Sequence, residues 1–143
     1  MHFKDRRYSA RDELYVIEMR DSKIDKYIQD HKLSSIMNNT KWKEMISAIT
    51  SNSDYAPSVN IKTFFYPESK GYNPVWWEEV ERDGFEYIER VNINPISEEY
   101  LGRLVESQKT DHSEFIINAL DGKNIPYKIY DGIISVSGYI SLK

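Results

Sequence analysis

The feature that most constrains this chain is the Asp131-Gly132 dipeptide, which stands between two apolar-rich runs, residues 125–130 and 133–142. A two-residue connection with positive φ at both positions matches the right-handed twist of paired strands, and Asp-Gly supplies it. The two runs therefore read as a β-hairpin. In the second, Ile134, Val136, Ile140 and Leu142 share the core face with Gly138. A glycine there implies a bulge or a close approach by a neighbouring side chain. Ahead of the hairpin, Phe115, Ile116, Ala119 and Leu120 recur at helical spacing. Asp111 is the expected cap of that helix, with Glu114 three residues on, and Gly122 its expected terminator.

The remaining elements follow from similar signals. Residues 14–17 are an apolar run that reads equally as a short buried strand or as half a helix. From Ser22 the pattern is helical, with Ile24, Tyr27 and Ile28 on one face. Asn38, Asn39 and Thr40 are all good N-cap residues. After them Trp42, Met45, Ile46 and Ile49 make a stripe at i, i+3, i+4 and i+7 that should bury. Residues 59–66 read as a strand with Val59, Ile61 and Phe65 on one face, ended by Pro67. Residues 68–74 read as a loop and 75–77 as a further short strand. Arg82-Asp83-Gly84 reads as a turn, 85–93 as a strand, and 97–104 as a short helix begun by Ser97, Glu98 and Glu99. The expected architecture is α+β: an antiparallel sheet of four or five strands with three or four helices packed mainly on one face.

Composition narrows the function classes. A chain of 143 residues suits a single domain, 1–143, with a core that needs no staples. Cysteine is absent, which removes disulfides, thiolate catalysis and cysteine-ligated zinc, and fits a reducing cytoplasm. No stretch has the length of a membrane span. A net charge of −4 does not suit a domain that pairs with phosphates, so nucleic acid is not expected as a partner. The basic residues Lys4, Arg6, Arg7 and Arg11 are interrupted by acids and read as a solvated face. No glycine-rich phosphate loop occurs, and His2, His31 and His112 lie too far apart for a metal-ligand motif. No cofactor and no catalytic signature is expected.

Two groups of residues stand out. The first is Tyr72, Trp76, Trp77, Glu78 and Glu79. Neighbouring side chains in a strand leave on opposite faces, so one tryptophan should be exposed beside a carboxylate cluster. Exposed Trp and Tyr anchor protein interfaces, and acids steer a basic partner. The plainer reading has one indole in the core and the other under the loop. The second is Glu89. If Phe85, Tyr87, Val91 and Ile93 face the core, strand parity turns Glu89 inward too. A buried carboxylate must be paired or protonated, which makes it either a possible ligand site or a structural ion pair.

The run Asn38-Asn39-Thr40-Lys41-Trp42, with Met37 before it, is followed by Tyr87-Ile88-Glu89, Ile125-Pro126-Tyr127, Asp131-Gly132 and Gly138-Tyr139. Together they resemble a family of small bacterial proteins of uncharacterised function, over residues 33–143, with 1–32 a variable extension. Arg90 departs from that pattern, which places Trp there. The resemblance implies a compact cytoplasmic α+β domain and no assigned activity. Small acidic bacterial proteins of this look include immunity proteins, which is analogy only. The first expectation is thus a non-catalytic module that binds a basic protein surface through Tyr72, Trp76, Trp77, Glu78 and Glu79. The alternatives are a small-ligand protein or enzyme using Glu89, and a homo-oligomer joined by its double tryptophan.

Overall fold

The computed structural model describes residues 22–64 and 71–141. Expectations for residues 14–17, the basic cluster at 4–11, His2, Phe65 to Lys70 and Leu142 lie outside the described residues. The chain divides into two compact units, 1–34 with 141–143, and 35–140. The first contains helix α1 (22–30). Its Ile24 is buried, and the rings of Tyr27 and His31, one turn apart, stack 3.9 Å centroid to centroid. Strands β1 (Leu33–Ser35) and β8 (Tyr139–Ser141) straddle the division.

The second unit is an α+β sandwich of helices on a sheet. Strands β2 (Ser58–Thr63), β3 (Ile88–Asn94), β6 (Lys128–Tyr130) and β7 (Ile133–Ser137) form an antiparallel sheet in the order β2-β3-β7-β6. Register aligns Val59, Ile93, Ile134 and Ile129 in one row and Ile61, Val91 and Val136 in the next. Helices α2 (Asn39–Ile49) and α4 (Ser113–Gly122) pack on each other and share the core with that face. Trp42, Met45 and Ile49 of α2 and Ile116 and Leu120 of α4 are its buried helical residues. No helix among the described residues is long and apolar enough to cross a membrane.

The expected caps are partly relocated. Asn38 Oδ1 accepts from the Lys41 N–H at 2.8 Å and starts α2 as expected. At the far end of α4 the helix runs through Gly122 and closes two residues later. Asn124 takes φ 56°, Ile125 N–H returns to Leu120 O and Asn124 N–H to Asp121 O. This is a Schellman closure, with buried Ile125 and Leu120 as its apolar contact. Ile125 is spent on that cap and Pro126 has no N–H, so the strand expected at 125–130 shrinks to β6. Asp131 and Gly132 take φ 51° and 80°, the turn expected of them.

Three expectations are corrected. Residues 85–93 are not one strand: Phe85–Tyr87 is a 3-10 turn, and β3 begins at Ile88. Residues 97–104 are not a helix. Strands β4 (Ile96–Glu99) and β5 (Gln108–Asp111) form a separate two-stranded arm. Cross-strand pairing of Glu98 with Lys109, and Gly102 within the connection, favour the hairpin over helix. Ile140 does not face the core. The last strand breaks at Gly138, and Ile140 is exposed.

The break at Gly138 has a physical cause. Opposite β2, Lys62 pairs with Arg90 but Thr63 with Ile88, so Glu89 is the extra residue of a bulge. Gly138 donates to Glu89 O at 2.9 Å and accepts from Ile36 N. A Cβ at 138 would stand 2.6 Å from Ile88 O and 3.1 Å from the Trp42 ring. Of the two alternatives expected of that glycine, the close approach is found at 138 itself, and the bulge lies on the neighbouring strand β3. Gly138→Ala should lower unfolding stability by about 2–3 kcal/mol, the usual cost of overpacking a tight site, in urea titration. Loss below about 0.5 kcal/mol would mean the contact is not tight.

Candidate functional site

The site expected at Trp76 and Trp77 is built on helix α3 (Trp77–Asp83), not on a strand. Pro74 precedes it, Glu78 and Glu79 lie in its first turn, where the helix dipole favours acids, and Arg82 in its last. The stretch 82–84 is the helix end. Gly84 N–H returns to the carbonyls of Val80 and Glu81. Helical geometry separates the two indoles by another route than strand alternation. Trp76 caps the helix and is 79% exposed. Trp77 and Val80 pack against the core, and Trp77 lines a depression with Tyr55, Pro57, Pro74 and Val75.

The structure therefore groups Trp76 with Glu78, Glu79 and Arg82, which line one shallow depression. Glu79 and Arg82 approach to 3.9 Å, and Glu81 pairs with Lys43 at 3.2 Å. Tyr72 is not in that group. It sits half-buried between Gly71, whose carbonyl accepts from Asn60 Nδ2, and Asn73, which bridges to Val59 in both directions.

Glu89 does not follow the parity expected of it, because the bulge resets the alternation between Ile88 and Val91. It is half-buried, with Oε2 2.5 Å from Lys62 Nζ and 3.8 Å from Arg90 Nη1. Its position is that of a carboxylate in a local ion-pair cluster.

Sequence reading missed two features. The first is the root of the β4–β5 arm. His112 Nε2 lies 2.9 Å from Ser97 Oγ, and the His112 ring stacks on Tyr55 at 3.7 Å. A serine–histidine pair needs a third group to orient it for nucleophilic chemistry. The neighbouring acid is spent elsewhere: Asp111 Oδ1 accepts from the Ser113 hydroxyl at 2.5 Å and the Ser113 N–H at 2.9 Å. Those bonds hold the Asp111 carboxyl below its ordinary range. The pair is read as a clamp. Burial pushes the Tyr55 phenol up, and its hydroxyl has no hydrogen-bond partner among the described residues. The second feature is the arm's tip, where Tyr100, Leu101 and Val105 are exposed and Leu104 is 100% exposed. The helical reading of 97–104 hid it. Among the described residues no three His, Asp or Glu side chains form a metal-binding group.

Antiparallel α+β geometry with an appended arm defines the class of fold. The chain belongs to a family described as a family of unknown function (DUF6678), matched over residues 24–143. The match takes in most of α1. No curated protein and no solved structure matches the chain.

The two indoles should respond differently to truncation. Trp76→Ala should change unfolding stability by no more than about 0.5 kcal/mol, as for an exposed side chain. Trp77→Ala should cost about 2–3 kcal/mol by losing packed area. Equal losses in urea titration would contradict the division. Tyr55→Phe should leave stability unchanged or raise it by about 1 kcal/mol, since it removes a buried hydroxyl that has no partner among the described residues. A thermal midpoint several degrees lower would show that the hydroxyl is bonded.

Proposed function

We propose that this domain is a non-catalytic protein-binding module of the bacterial cytoplasm, acting as an immunity protein does, by occupying another protein. The observation that carries this reading is Trp76. Its indole is 79% exposed at a helix start and stands beside Glu78 and Glu79. A large aromatic held in water by a formed element is the usual anchor of an interface. Adjacent acids give it a preferred partner, a basic surface, and raise the rate of encounter. Trp77 serves the fold and not the interface, so Trp76 is the residue to test.

Tagged protein should capture a stoichiometric partner from lysate of its native host, and Trp76→Ala with Glu79→Lys should lose it. Equal recovery by both forms, or none by either, would overturn the reading. With the partner in hand, Glu78→Lys with Glu79→Lys should slow association about tenfold at low salt while leaving the unfolding midpoint in place. An unchanged association rate would remove this surface.

A further inference from the structure

Residues 96–111 contribute nothing to the hydrophobic core. Yet they carry five of the nine exposed large apolar side chains among the described residues: Ile96, Tyr100, Leu101, Leu104 and Val105. The arm that holds them is not a loose loop. Four of its residue pairs are in register, and Ser107 donates to the Glu98 carboxylate across it. Its root is tied down at several points. Pro95 is fully buried, His112 N–H donates to Pro95 O at 2.8 Å, and Ile96 N–H donates to Asn94 Oδ1 at 3.0 Å. The Ser97–His112 bond and the Tyr55 stack complete the joint. A stiff stalk that presents its apolar residues at the far end is preorganised for insertion, because little order remains to be imposed on binding.

Charge says what kind of surface would accept it. Helix α3 and the arm together hold eight acidic residues (Glu78, Glu79, Glu81, Asp83, Glu98, Glu99, Glu106, Asp111) against three basic ones, Arg82, Arg103 and Lys109. That is a net −5, when the whole chain is −4. The acid excess of this protein is therefore confined to these two elements. The start of α3 and the root of the arm also lie at one end of the sheet. Asn73 is opposite Val59 and Asn94 opposite Ser58, so the chain running on from each passes either side of residues 55–57. Tyr55 stacks on His112 and lines one depression with Trp77. A second copy of this chain would bring one acid-rich end against another, which disfavours self-association there.

We infer that the tip of the β4–β5 arm inserts its exposed Leu104, with Tyr100, Leu101 and Val105, into an apolar pocket rimmed by basic residues on a partner protein. This rests on the reading of the chain as a protein-binding module and adds a contact separate from Trp76. It also makes the acidic residues of the arm a guide for the tip.

The test is photo-crosslinking in the native host. A benzoylphenylalanine is placed in the full chain at position 104, at 76, or at the exposed position 118 of α4 as a control. The expected result is an adduct of one added mass at 104 and at 76, absent at 118, whose other component has a net positive charge by mass fingerprinting. With Glu99→Lys and Glu106→Lys added, the yield at 104 should fall about tenfold at low salt. An adduct at 76 alone would overturn the arm proposal and leave the module reading standing. No adduct at either would overturn both. An adduct at 104 with a second copy of the chain, or with an acidic protein, would also overturn the proposal.

Discussion

The second unit depends on one contact, the Trp42 ring laid against Gly138 and the bulged backbone at Ile88–Glu89. Three distant segments meet there: the start of α2, the start of β3 and the end of β7. Each depends on the others. The bulge brings Ile88 O so near residue 138 that only a glycine fits, and the missing side chain leaves the space the indole fills. Phe85 stacks on Trp42 at 6.3 Å, so the 3-10 turn before β3 is part of the same packing. A fully buried tryptophan contributes more burial than any other side chain could at this site. It also fixes register, since a one-residue slip of β7 would drive a side chain into Ile88 O.

The segments that carry the family resemblance are accounted for by this packing. Asn38 caps α2. Lys41 reaches across to the carbonyl of Lys123 at 2.8 Å and so satisfies the C-terminal end of α4, where a cation also suits the helix dipole. Trp42 and Gly138 form the contact above, and the Tyr139 hydroxyl donates to Glu86 O at 2.8 Å, tying β8 to the 3-10 turn. Ile125 closes α4. These roles are structural, which separates the motif from the exposed tryptophan and the arm.

Much of the architecture was legible because it rests on local signals. The α2 stripe, the Asn38 cap and the Asp-Gly turn depend on neighbours a few residues away, and each formed where its chemistry put it. The errors fell where a distant contact overrules the local one. Parity along residues 85–93 assumed an unbroken strand, and the bulge at Glu89 shifted the phase, so Ile88 took the buried place. Ser97-Glu98-Glu99 is a fair helix start in isolation, but the ladder to residues 108–111 outweighs it. Propensity is a weak prior against hydrogen bonds formed with a strand eleven residues on. Of the candidate site, exposure of one indole was legible from adjacency alone. Which indole was not, because that depends on where a helix begins, and Tyr72 was grouped with them only by nearness in sequence.

The joint at Tyr55 gives the two exposed elements a common mechanical base. Its ring meets His112 face to face and Phe115 edge-on at 6.1 Å, so the arm root is coupled to α4 and through it to the core. The same residue lines a depression with Trp77, the packed neighbour of exposed Trp76. Trp76 and the arm each have a packed neighbour in the chain: Trp76 has the half-buried Trp77, and the arm has the buried Pro95 and the clamped His112. Apolar side chains exposed singly are ordinary on a protein surface, whereas a contiguous group such as the arm's tip is the kind that marks an interaction site. On the binding role proposed above, the anchoring keeps these groups presented to a partner. That arrangement is what a surface needs if it is to meet a partner without first reorganising.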